Sequence, residues 1–422
     1  MAGHVAGMVE AISPVCVIGA GPAGLMAADR LTLAGLRVTL FERMPSPARK
    51  FLMAGRGGLN LTHSEPLDAF LARYGPAAPA LAAAVRAFPP EALRAFAADL
   101  GEETFVGSSG RVFPKSFKAS PLLRAWLRRL AARGVDLRVR HTFLGWSPSG
   151  ALRFATPEGE TEIAADACVL ALGGASWPRL GGDGAWAAPL AARGVPVTPL
   201  APANMGVHIH WSEAFRARFA RAPLKRLAVR VGDKTARGEA VVTEQGLEGG
   251  AIYAVSAALR AALARGPAEL VVDLRPDLSR ADLAGRLASV PPKHSLANRL
   301  RKGGGLSPAA AGLLREALDR PGTDPDTLAG TIKAARFAVA GTGGLERAIS
   351  SAGGLAFEGL DADFRVRGLP VSYPVTFACG EMLDWEAPTG GYLLQACFAT
   401  GRAAAEGVLR RLADGSAGKS AL

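Results

Sequence analysis

A glycine-rich hexapeptide near the N-terminus is the strongest constraint that the sequence places on its fold. Gly19-Ala20-Gly21-Pro22-Ala23-Gly24 lies between a short apolar run at residues 15–18 and an apolar helical pattern that starts at Leu25. A second β-type run, residues 36–41, follows after Gly35. Strand, glycine turn, helix and strand within about thirty residues predict the βαβ unit of a dinucleotide-binding fold.

Three glycines and one acidic residue of this unit are predicted to position defined parts of the dinucleotide. Gly19 permits a tight turn, Gly21 leaves the backbone open to a pyrophosphate, and Gly24 lets helix and strand pack closely. Glu42 closes the second strand 18 residues after Gly24, where a carboxylate accepts hydrogen bonds from a ribose. The predicted cofactor contacts of this unit are Gly19, Ala20, Gly21, Pro22, Ala23, Gly24, Glu42 and Arg43.

Two later strand ends favour FAD over a nicotinamide dinucleotide. The run at 168–174, CVLALGG, ends in small residues that include Gly173, as expected where the chain returns close to a cofactor. The run at 377–384, FACGEMLD, ends in Gly380 and Glu381. In two-dinucleotide flavoproteins an acid at this place binds the ribityl chain. After the glycine hexapeptide and the run at 168–174, this acidic strand end is the third signal, and a dehydrogenase that binds only NAD would not need it.

A cationic loop and a late helix are predicted to surround the flavin. The glycines of residues 49–62, RKFLMAGRGGLNLT, let the backbone approach a ligand, and its cations suit an anion. The helix that starts after the paired glycines 390–391 would favour an anionic reduced flavin. The ring is expected between residues 55–60 and this helix; a solvated loop and a plain turn are the alternatives. The further predicted contacts are Arg49, Lys50, Gly55, Gly57, Asn60, Thr62, Phe143, Gly390, Gly391 and Tyr392.

With these motifs the chain resembles the BaiN/YhiN-type NAD(P)/FAD-dependent oxidoreductases, and among them a proteobacterial branch of uncharacterised flavoproteins. The segments that carry the resemblance are GAGPAGLMAA, ARKFLMAGRGGLNLTH, GRVFPKSFKA, ALGGASWPRLGGDG, GLEGGAIYAVS, AISSAGG and GEMLDWEAPTGGYLLQACFATG. The family commonly has a GGGRCN-type loop. Here Arg56 and Gly58 exchange the arginine and glycine places, and Leu59 stands where cysteine is common, so no role for that cysteine carries over.

The resemblance implies an α/β fold in which a glutathione-reductase-like Rossmann FAD-binding domain is interrupted by a mixed insert, partly β-barrel-like and partly helical. A composition shift near residue 196 and the return of glycines after 341 agree with it. We therefore expect an FAD-binding domain at 13–195 and 345–422, and an insert at 196–344 that is β-rich over 200–272 and helical over 276–340. The insert is expected to cover the flavin and form the substrate pocket. The last helix should end near Leu412, before a disordered tail.

The expected activity is that of an FAD-dependent oxidoreductase with hydride transfer through flavin N5. A second GxGxxG is missing, and the glycine-rich run 180–184 does not directly follow a strand, so NAD(P)H is expected to bind transiently as the reductant. No residue is assigned as a catalytic acid or base, and no metal site is predicted. Three interpretations stay open: a reductase of a small unsaturated substrate, an RNA-directed reductase that forms dihydrouridine in rRNA (an activity associated with part of this family), and a non-catalytic flavin-binding protein.

The net charge of +12 has two interpretations. Clustered cations would bind the phosphates of RNA, with Arg124/Arg128/Arg129/Arg133 and Arg216/Arg218/Arg221/Lys225/Arg226 as the candidate clusters. Alternatively, 40 of the 49 basic residues are Arg in a chain rich in Ala, Gly and Pro, which is typical of a GC-rich genome.

Location and partners follow from what the sequence lacks. No apolar stretch is long enough to span a bilayer, so no membrane partner is expected. Residues 1–13 do not resemble a signal peptide, and a cytoplasmic protein is expected. The sequence does not indicate an oligomeric state.

The four cysteines, Cys16, Cys168, Cys379 and Cys397, form no CxxC pair and are expected to be core residues.

Overall fold

The computed structural model describes residues 15–55, 57–317 and 324–419 and contains two compact units. The first combines the chain up to Ala201 with the chain from Ser350 onward, and the second is Pro202–Ile349. The sequence predicted these boundaries at 195/196 and 344/345. The predicted leader at 1–13 and the exchanged Arg56 lie outside the described residues.

The elements are numbered in chain order. The strands are β1 (Val15–Ile18), β2 (Val38–Glu42), β3 (Thr62–His63), β4 (Thr104–Val106), β5 (Arg111–Pro114), β6 (Asp136–Val139), β7 (Thr142–Trp146), β8 (Leu152–Thr156), β9 (Gly159–Ile163), β10 (Ala167–Leu170), β11 (Val197–Ala203), β12 (Val207–His208), β13 (Pro223–Val231), β14 (Lys234–Val242), β15 (Gly246–Glu248), β16 (Ala268–Asp273), β17 (Ala335–Val339), β18 (Gly341–Thr342), β19 (Ser350–Leu355) and β20 (Val375–Ala378). The helices are α1 (Pro22–Leu33), α2 (Arg49–Ala54), α3 (Leu67–Ala72), α4 (Ala78–Ala87), α5 (Pro90–Asp99), α6 (Ala119–Ala132), α7 (Ala187–Ala191), α8 (Glu213–Phe219), α9 (Gly250–Tyr253), α10 (Ser256–Leu263), α11 (Arg280–Ala288), α12 (Leu296–Lys302), α13 (Pro308–Glu316), α14 (Pro325–Lys333) and α15 (Tyr392–Lys419).

A five-stranded parallel sheet forms the centre of the first unit. Its strand order is β20-β10-β1-β2-β6, and every neighbouring pair is parallel. All residues of β1, β2 and β10 are buried, as expected for parallel strands that are covered on both faces. The carboxyl ends of these strands lie along one edge, which brings the glycine turn, Glu42 and residues 171–174 together.

Helix α15 packs along α1 and buries Ala396, Phe398, Ala404 and Val408. It continues to Lys419, so the predicted end near Leu412 was too early, and the predicted disordered tail is helical as far as 419. Extending a helix that has already formed costs little, since each added residue gains a hydrogen bond. Among residues 15–55, 57–317 and 324–419, no helix is both long and apolar enough to cross a membrane.

The second unit is built on a seven-stranded sheet of order β17-β16-β13-β14-β15-β12-β18, with antiparallel pairing. Its two end strands, β17 and β18, are separated in the chain by Ala340 alone, so the sheet closes on itself as a barrel-like ring. Helices α11–α14 supply the helical part. The barrel-like and helical insert that the resemblance implied is confirmed. Short helices α8–α10 lie within its predicted β-rich segment, and β17 lies within its predicted helical segment.

Candidate cofactor site

A cleft opens at the carboxyl ends of β1, β2 and β10. This is the edge at which open parallel sheets bind their ligands. Nine of the predicted cofactor contacts line the cleft, namely Gly19, Gly21, Pro22, Glu42, Arg43, Arg49, Lys50, Phe143 and Gly173.

The three glycines of the hexapeptide have three different environments. Gly19 has φ +104°, and a Cβ placed there would lie 2.2 Å from the carbonyl oxygen of Ala171. A Cβ on Gly24 would lie 1.8 Å from the carbonyl oxygen of Gly19. At Gly21, in contrast, a Cβ would meet no protein atom within 4 Å. Gly19 and Gly24 are therefore required by the turn and its packing, whereas Gly21 keeps space free in the cleft.

The N-terminus of α1 fits an anion such as a pyrophosphate. No side chain caps it, and its first turn contains no acidic residue. The first N–H groups of a helix carry a partial positive charge and have no partners within the helix. Together with the free space at Gly21, this arrangement matches the pyrophosphate of a dinucleotide.

Glu42 is held in one orientation by the backbone. Its Oε2 accepts a hydrogen bond from the amide of Ala20 at 3.1 Å, and its Oε1 accepts one from the amide of Met44 at 2.8 Å. The residue is 9% exposed. Burial raises the pKa of Glu42, although the hydrogen bonds from Met44 and Ala20 oppose this shift. The carboxylate keeps acceptor capacity beyond these backbone bonds, which suits a hydroxyl of a ribose.

Three cations line the cleft in different pairing states. Arg43 forms an ion pair with Asp183, and Lys50 Nζ lies 2.8 Å from Glu381 Oε2 and 2.9 Å from Ser176 Oγ. Arg49, in the described part of the chain, has no acidic partner. Its charge is thus available for an anion bound at the N-terminus of α1.

Glu381 lies beside the cleft rather than in its lining. Besides the ion pair with Lys50, its Oε1 accepts a hydrogen bond from the amide of Ser351 at 3.2 Å. Gly380 before it has φ +81°, and a Cβ there would lie 2.7 Å from the Cβ of Ala23. The turn after β20 thus packs directly on the hexapeptide, and Lys50 connects Glu381 to the cleft. A role of Glu381 at the ribityl chain stays a prediction.

Replacing Glu381 with alanine tests that role. We expect FAD affinity to fall about tenfold, because one charge-assisted hydrogen bond in a partly buried site contributes about 1–2 kcal/mol. Titration of the apoprotein with FAD measures the change, and Glu358→Ala, at an exposed position of the same unit, is the control. Unchanged affinity in Glu381→Ala would mean that this acid only anchors Lys50.

The cationic loop and the start of α15 are packed against each other. A Cβ on Gly391 would lie 2.5 Å from the Cα of Thr62, so a flavin ring cannot pass between these two residues. Asn60 Nδ2 donates to the carbonyl oxygens of Thr62 and Val112, at 2.8 and 3.2 Å, and thus stabilises the loop itself. Leu59, which replaces the common cysteine, is fully buried.

The remaining predicted contacts lie outside the cleft lining as well. A Cβ on Gly55 would lie 2.7 Å from Ala119, whereas one on Gly57 would meet no atom within 4 Å. Gly390 has φ +138°, a conformation that favours glycine. Ala20 and Ala23 are buried; the amide of Ala20 donates to Glu42, and the Cβ of Ala23 faces Gly380.

Tyr392 anchors α15 and is 4% exposed. Its hydroxyl donates to Glu65 Oε1 at 2.5 Å, and its carbonyl oxygen accepts a hydrogen bond from the Tyr74 hydroxyl at 2.9 Å. Burial and the bond to Glu65 raise the pKa of Tyr392. Arg73 holds the other oxygen of Glu65 at 2.7 Å. The structure thus places the Tyr392 side chain in a network that joins α15 to the chain around α3.

A glycine-rich loop after β10 was not predicted to join the cofactor site. Residues 180–183 line the cleft, and Arg43 contacts this loop through Asp183 and, at 3.4 Å, the carbonyl oxygen of Gly181. The loop lies ten residues after the end of β10, the parallel strand next to β1, and its glycines were the signal in the sequence that could have identified it. Because Arg43 lies about 140 residues away in the chain, the local sequence pattern could not predict its contact with this loop.

The four cysteines are free. Burial raises the pKa of Cys16 and of Cys168 to about 12, so neither thiol provides a thiolate near neutral pH. In the described residues, no group of His, Cys, Asp and Glu side chains is arranged to hold a metal ion.

Comparison with known families identifies the fold. The chain matches the HI0933-like protein Rossmann domain over residues 13–407. It belongs to this family. The family is that of the BaiN/YhiN-like flavoproteins, as the motifs indicated.

Solved structures share the fold over nearly the whole chain. The 3-ketosteroid-delta4-(5alpha)-dehydrogenase of Rhodococcus jostii RHA1 is 16% identical, with a TM-score of 0.51, over 95% of this chain and 97% of that one. A flavocytochrome c3 fumarate reductase is 17% identical, with a TM-score of 0.52, over 94% and 78%. The 3-ketosteroid delta1-dehydrogenase of Sterolibacterium denitrificans is 15% identical, with a TM-score of 0.51, over 93% and 98%. Family and fold together are those of FAD-dependent oxidoreductases.

Proposed function

We propose that this protein is an FAD-dependent reductase that takes hydride from NAD(P)H and transfers it to a carbon–carbon double bond conjugated to a carbonyl group. The observation that carries the proposal is the cleft at the sheet edge. There an uncapped helix N-terminus, the free space at Gly21 and the oriented carboxylate of Glu42 match the pyrophosphate and ribose of FAD.

The residues of the chain bind and orient the cofactor. When bound, FAD supplies the atom that accepts and donates hydride, N5. The N-terminus of α1 and Arg49 would hold the pyrophosphate, and Glu42 would hold the ribose of the adenosine. Lys50 and Glu381, 2.8 Å apart, would hold the ribityl side.

The substrate class rests on what similar folds act on. The two ketosteroid dehydrogenases were solved with 4-androstene-3,17-dione and 1,4-androstadiene-3,17-dione, and the third structure is a fumarate reductase. These compounds share a double bond activated by a carbonyl or carboxyl group, which is the kind of bond that accepts a hydride. We extend this class, and not the individual substrates, to the present chain.

The test starts with the cofactor and continues with electron transfer. We expect the purified protein to release FAD, not FMN, on denaturation, because only FAD has the adenosine ribose that Glu42 would bind. Under anaerobic conditions, NADH or NADPH should bleach the oxidised flavin band, and a small enone should restore it. Recovery of FMN alone would contradict the cofactor assignment. A flavin that neither nucleotide reduces would contradict the proposed donor.

The distribution of charge favours a second candidate, a reductase that acts on a uracil base in RNA. Uracil contains the same conjugated double bond. Residues 202–349 contain 22 Lys and Arg against 14 Asp and Glu, so about a third of the chain holds +8 of the total +12. A genomic preference for arginine would spread the excess more evenly. Reoxidation of the anaerobically reduced protein by unmodified rRNA, but not by the modified form, is the expected result.

A further inference from the structure

We infer that three phenylalanine side chains of the first unit bind a planar apolar ring that the substrate carries beside its enone group. These side chains, the phenylalanine cluster, are Phe105 on β4, Phe113 on β5 and Phe117 after β5. The class of substrate rests on the enone reductase proposed above, whereas the cluster rests on contacts within the first unit.

The three rings of the cluster contact one another. Phe105 and Phe113 lie opposite each other in the antiparallel pairing of β4 with β5, with ring centroids 5.9 Å apart and ring planes inclined by 28°. The ring of Phe117 lies 5.1 Å from that of Phe105 and 5.6 Å from that of Phe113. These are the separations of favourable aromatic pairs, so the three rings form one continuous apolar surface.

This surface is partly open to solvent. Phe117 is 50% exposed, and Phe105 and Phe113 are half-buried. In the described part of the first unit, the hydrophobic core includes none of the three rings. Because a ring that stays in water gains little from folding, the stability of the fold does not explain an exposed phenylalanine at position 117.

The backbone of Phe117 is also held in an unfavourable conformation. Its φ is +58°, in the left-handed region that glycine and asparagine occupy more readily than a residue with a bulky side chain. Two backbone hydrogen bonds hold it there, since its amide donates to the carbonyl oxygen of Pro114 at 2.9 Å and its own carbonyl oxygen accepts from the amide of Leu59 at 2.8 Å. Backbone strain of this kind is frequent at ligand sites.

The glycine loop before β3 lies against the cluster. A Cβ on Gly58, whose φ is +108°, would lie 3.2 Å from Phe117 Cδ1. On the other side, a Cβ on Gly107 would lie 3.3 Å from Phe113 Cε2. A Cβ on Gly57 would meet no protein atom within 4 Å. The loop thus brings its backbone close to the rings and leaves the space beside Gly57 open.

Helix α2 connects the cluster to the cofactor cleft. Arg49 and Lys50, at the N-terminal end of α2, line the cleft, and Gly55 follows its C-terminal end. The amide of Gly58 donates to the carbonyl oxygen of Gly55 at 3.3 Å, so the loop turns back directly after the helix. A helix as short as α2 spans only about 9 Å. A small substrate that reaches a flavin held by Lys50 could therefore place an attached ring on the cluster.

The size and chemistry of the cluster favour a small apolar ligand over a protein. A fully buried aromatic side chain contributes about 150–250 Å², so three partly exposed rings offer much less than the roughly 800 Å² per partner of a stable protein interface. The faces and edges of phenylalanine rings bind planar apolar groups. A carboxylate placed against them would lose hydration and gain no hydrogen bond from them. An enone with a flat apolar ring thus fits the cluster better than an unsaturated acid does.

The experiment compares two enones that differ in this ring. Benzylideneacetone carries a phenyl group on its double bond, and ethylideneacetone carries a methyl group at the same position. The FAD-loaded protein is titrated anaerobically with dithionite to full reduction, and the enone concentration that gives half the maximal rate of flavin reoxidation is measured. For the wild type we expect this concentration to be at least about tenfold lower for benzylideneacetone, because its ring is buried and makes aromatic contacts.

Three variants test whether the cluster causes that difference. Phe117→Asn removes the ring and keeps a residue that tolerates the left-handed conformation. Its half-maximal concentration should rise about tenfold for benzylideneacetone and change by less than about twofold for ethylideneacetone. Phe117→Tyr keeps the ring and should behave like the wild type. So should the control Leu33→Asn, since Leu33 is 62% exposed and lies at the end of α1 remote from the cleft.

Binding without turnover is measured with benzylacetone, which has the ring but no conjugated double bond. Saturation-transfer NMR should detect benzylacetone on the oxidised wild-type holoenzyme and on Phe117→Tyr, and much more weakly on Phe117→Asn. Equal effects of Phe117→Asn on both enones, or a parallel loss of FAD affinity, would overturn the inference. Displacement of benzylacetone by uridine at a lower concentration than by benzylideneacetone would assign the rings to a nucleobase and overturn it as well.

The cluster and the reductase can fail separately. If both enones reoxidise the flavin with the same half-maximal concentration and benzylacetone does not bind, the inference is wrong and the reductase stands. If neither enone reoxidises the flavin, but benzylacetone binds the wild type and not Phe117→Asn, the reductase is wrong and the ring site stands.

Discussion

Replacing Gly21 with valine is expected to abolish FAD binding and to leave the fold intact. Gly21 has φ −81°, which any residue adopts, and a Cβ there meets no protein atom within 4 Å. The added side chain therefore costs the apoprotein little. It fills the space at the N-terminus of α1 that the pyrophosphate would occupy, so the steric conflict arises only with the cofactor.

Two further glycine variants make the expectation specific. Gly24→Val should not fold, since its Cβ would lie 1.8 Å from the carbonyl oxygen of Gly19. Gly285→Val, at an exposed position of α11 with no atom within 4 Å, should keep its flavin. Flavin content after purification, together with circular dichroism and thermal unfolding, distinguishes the three. A folded Gly21→Val protein that retains FAD would contradict the placement of the pyrophosphate.

The parts of the site that could be predicted from sequence are those built within one βαβ unit. Gly19, Gly21, Gly24 and Glu42 are all determined by a strand, a tight turn and a helix that are adjacent in the chain. Their predicted roles follow from local sterics. In the structure a Cβ would clash with the backbone at Gly19 and Gly24 and would meet no protein atom within 4 Å at Gly21, and Glu42 accepts two backbone hydrogen bonds.

The parts that could not be predicted depend on contacts between distant segments. Asp183 meets Arg43, and Tyr392 meets Glu65, across about 140 and 330 residues. Arg133 has the sequence pattern of a surface cation, and only the buried Asp29 on another helix explains its position. Periodicity indicates which face of an element is apolar, but it does not indicate which partner a polar side chain will find.

Replacing Glu42 with glutamine is expected to weaken FAD binding at least about 100-fold, or by about 3 kcal/mol. Both carboxylate oxygens accept amide hydrogen bonds, from Ala20 and Met44. A glutamine would turn its NH2 group toward one of these two N–H donors and leave that donor unpaired. It would also present a weaker acceptor to the ribose. Titration of the apoprotein with FAD measures the loss, and Glu158→Gln, in an exposed turn of the same unit, is the control.

Glu42 should also make FAD affinity depend on pH, and the direction of that dependence distinguishes Glu42 from other titrating groups. Burial raises the pKa of Glu42 in the folded protein above its ordinary value, which is about 4.3. The folded apoprotein therefore binds this proton more readily than the unfolded chain does, and protonation of Glu42 removes a cost to folding as the pH falls through the raised pKa. FAD binding should change in the opposite direction over this window, because a protonated carboxyl group is a poorer acceptor for the ribose and conflicts with one of the two amide donors. We expect the FAD affinity of the wild type to decline on mild acidification, whereas the stability of the apoprotein should show no parallel loss from this group. Glu42→Gln should bind FAD weakly, and its affinity should lack this pH dependence. An equally steep decline in Glu42→Gln would assign the titration to another group and leave Glu42 without its proposed contact to the ribose.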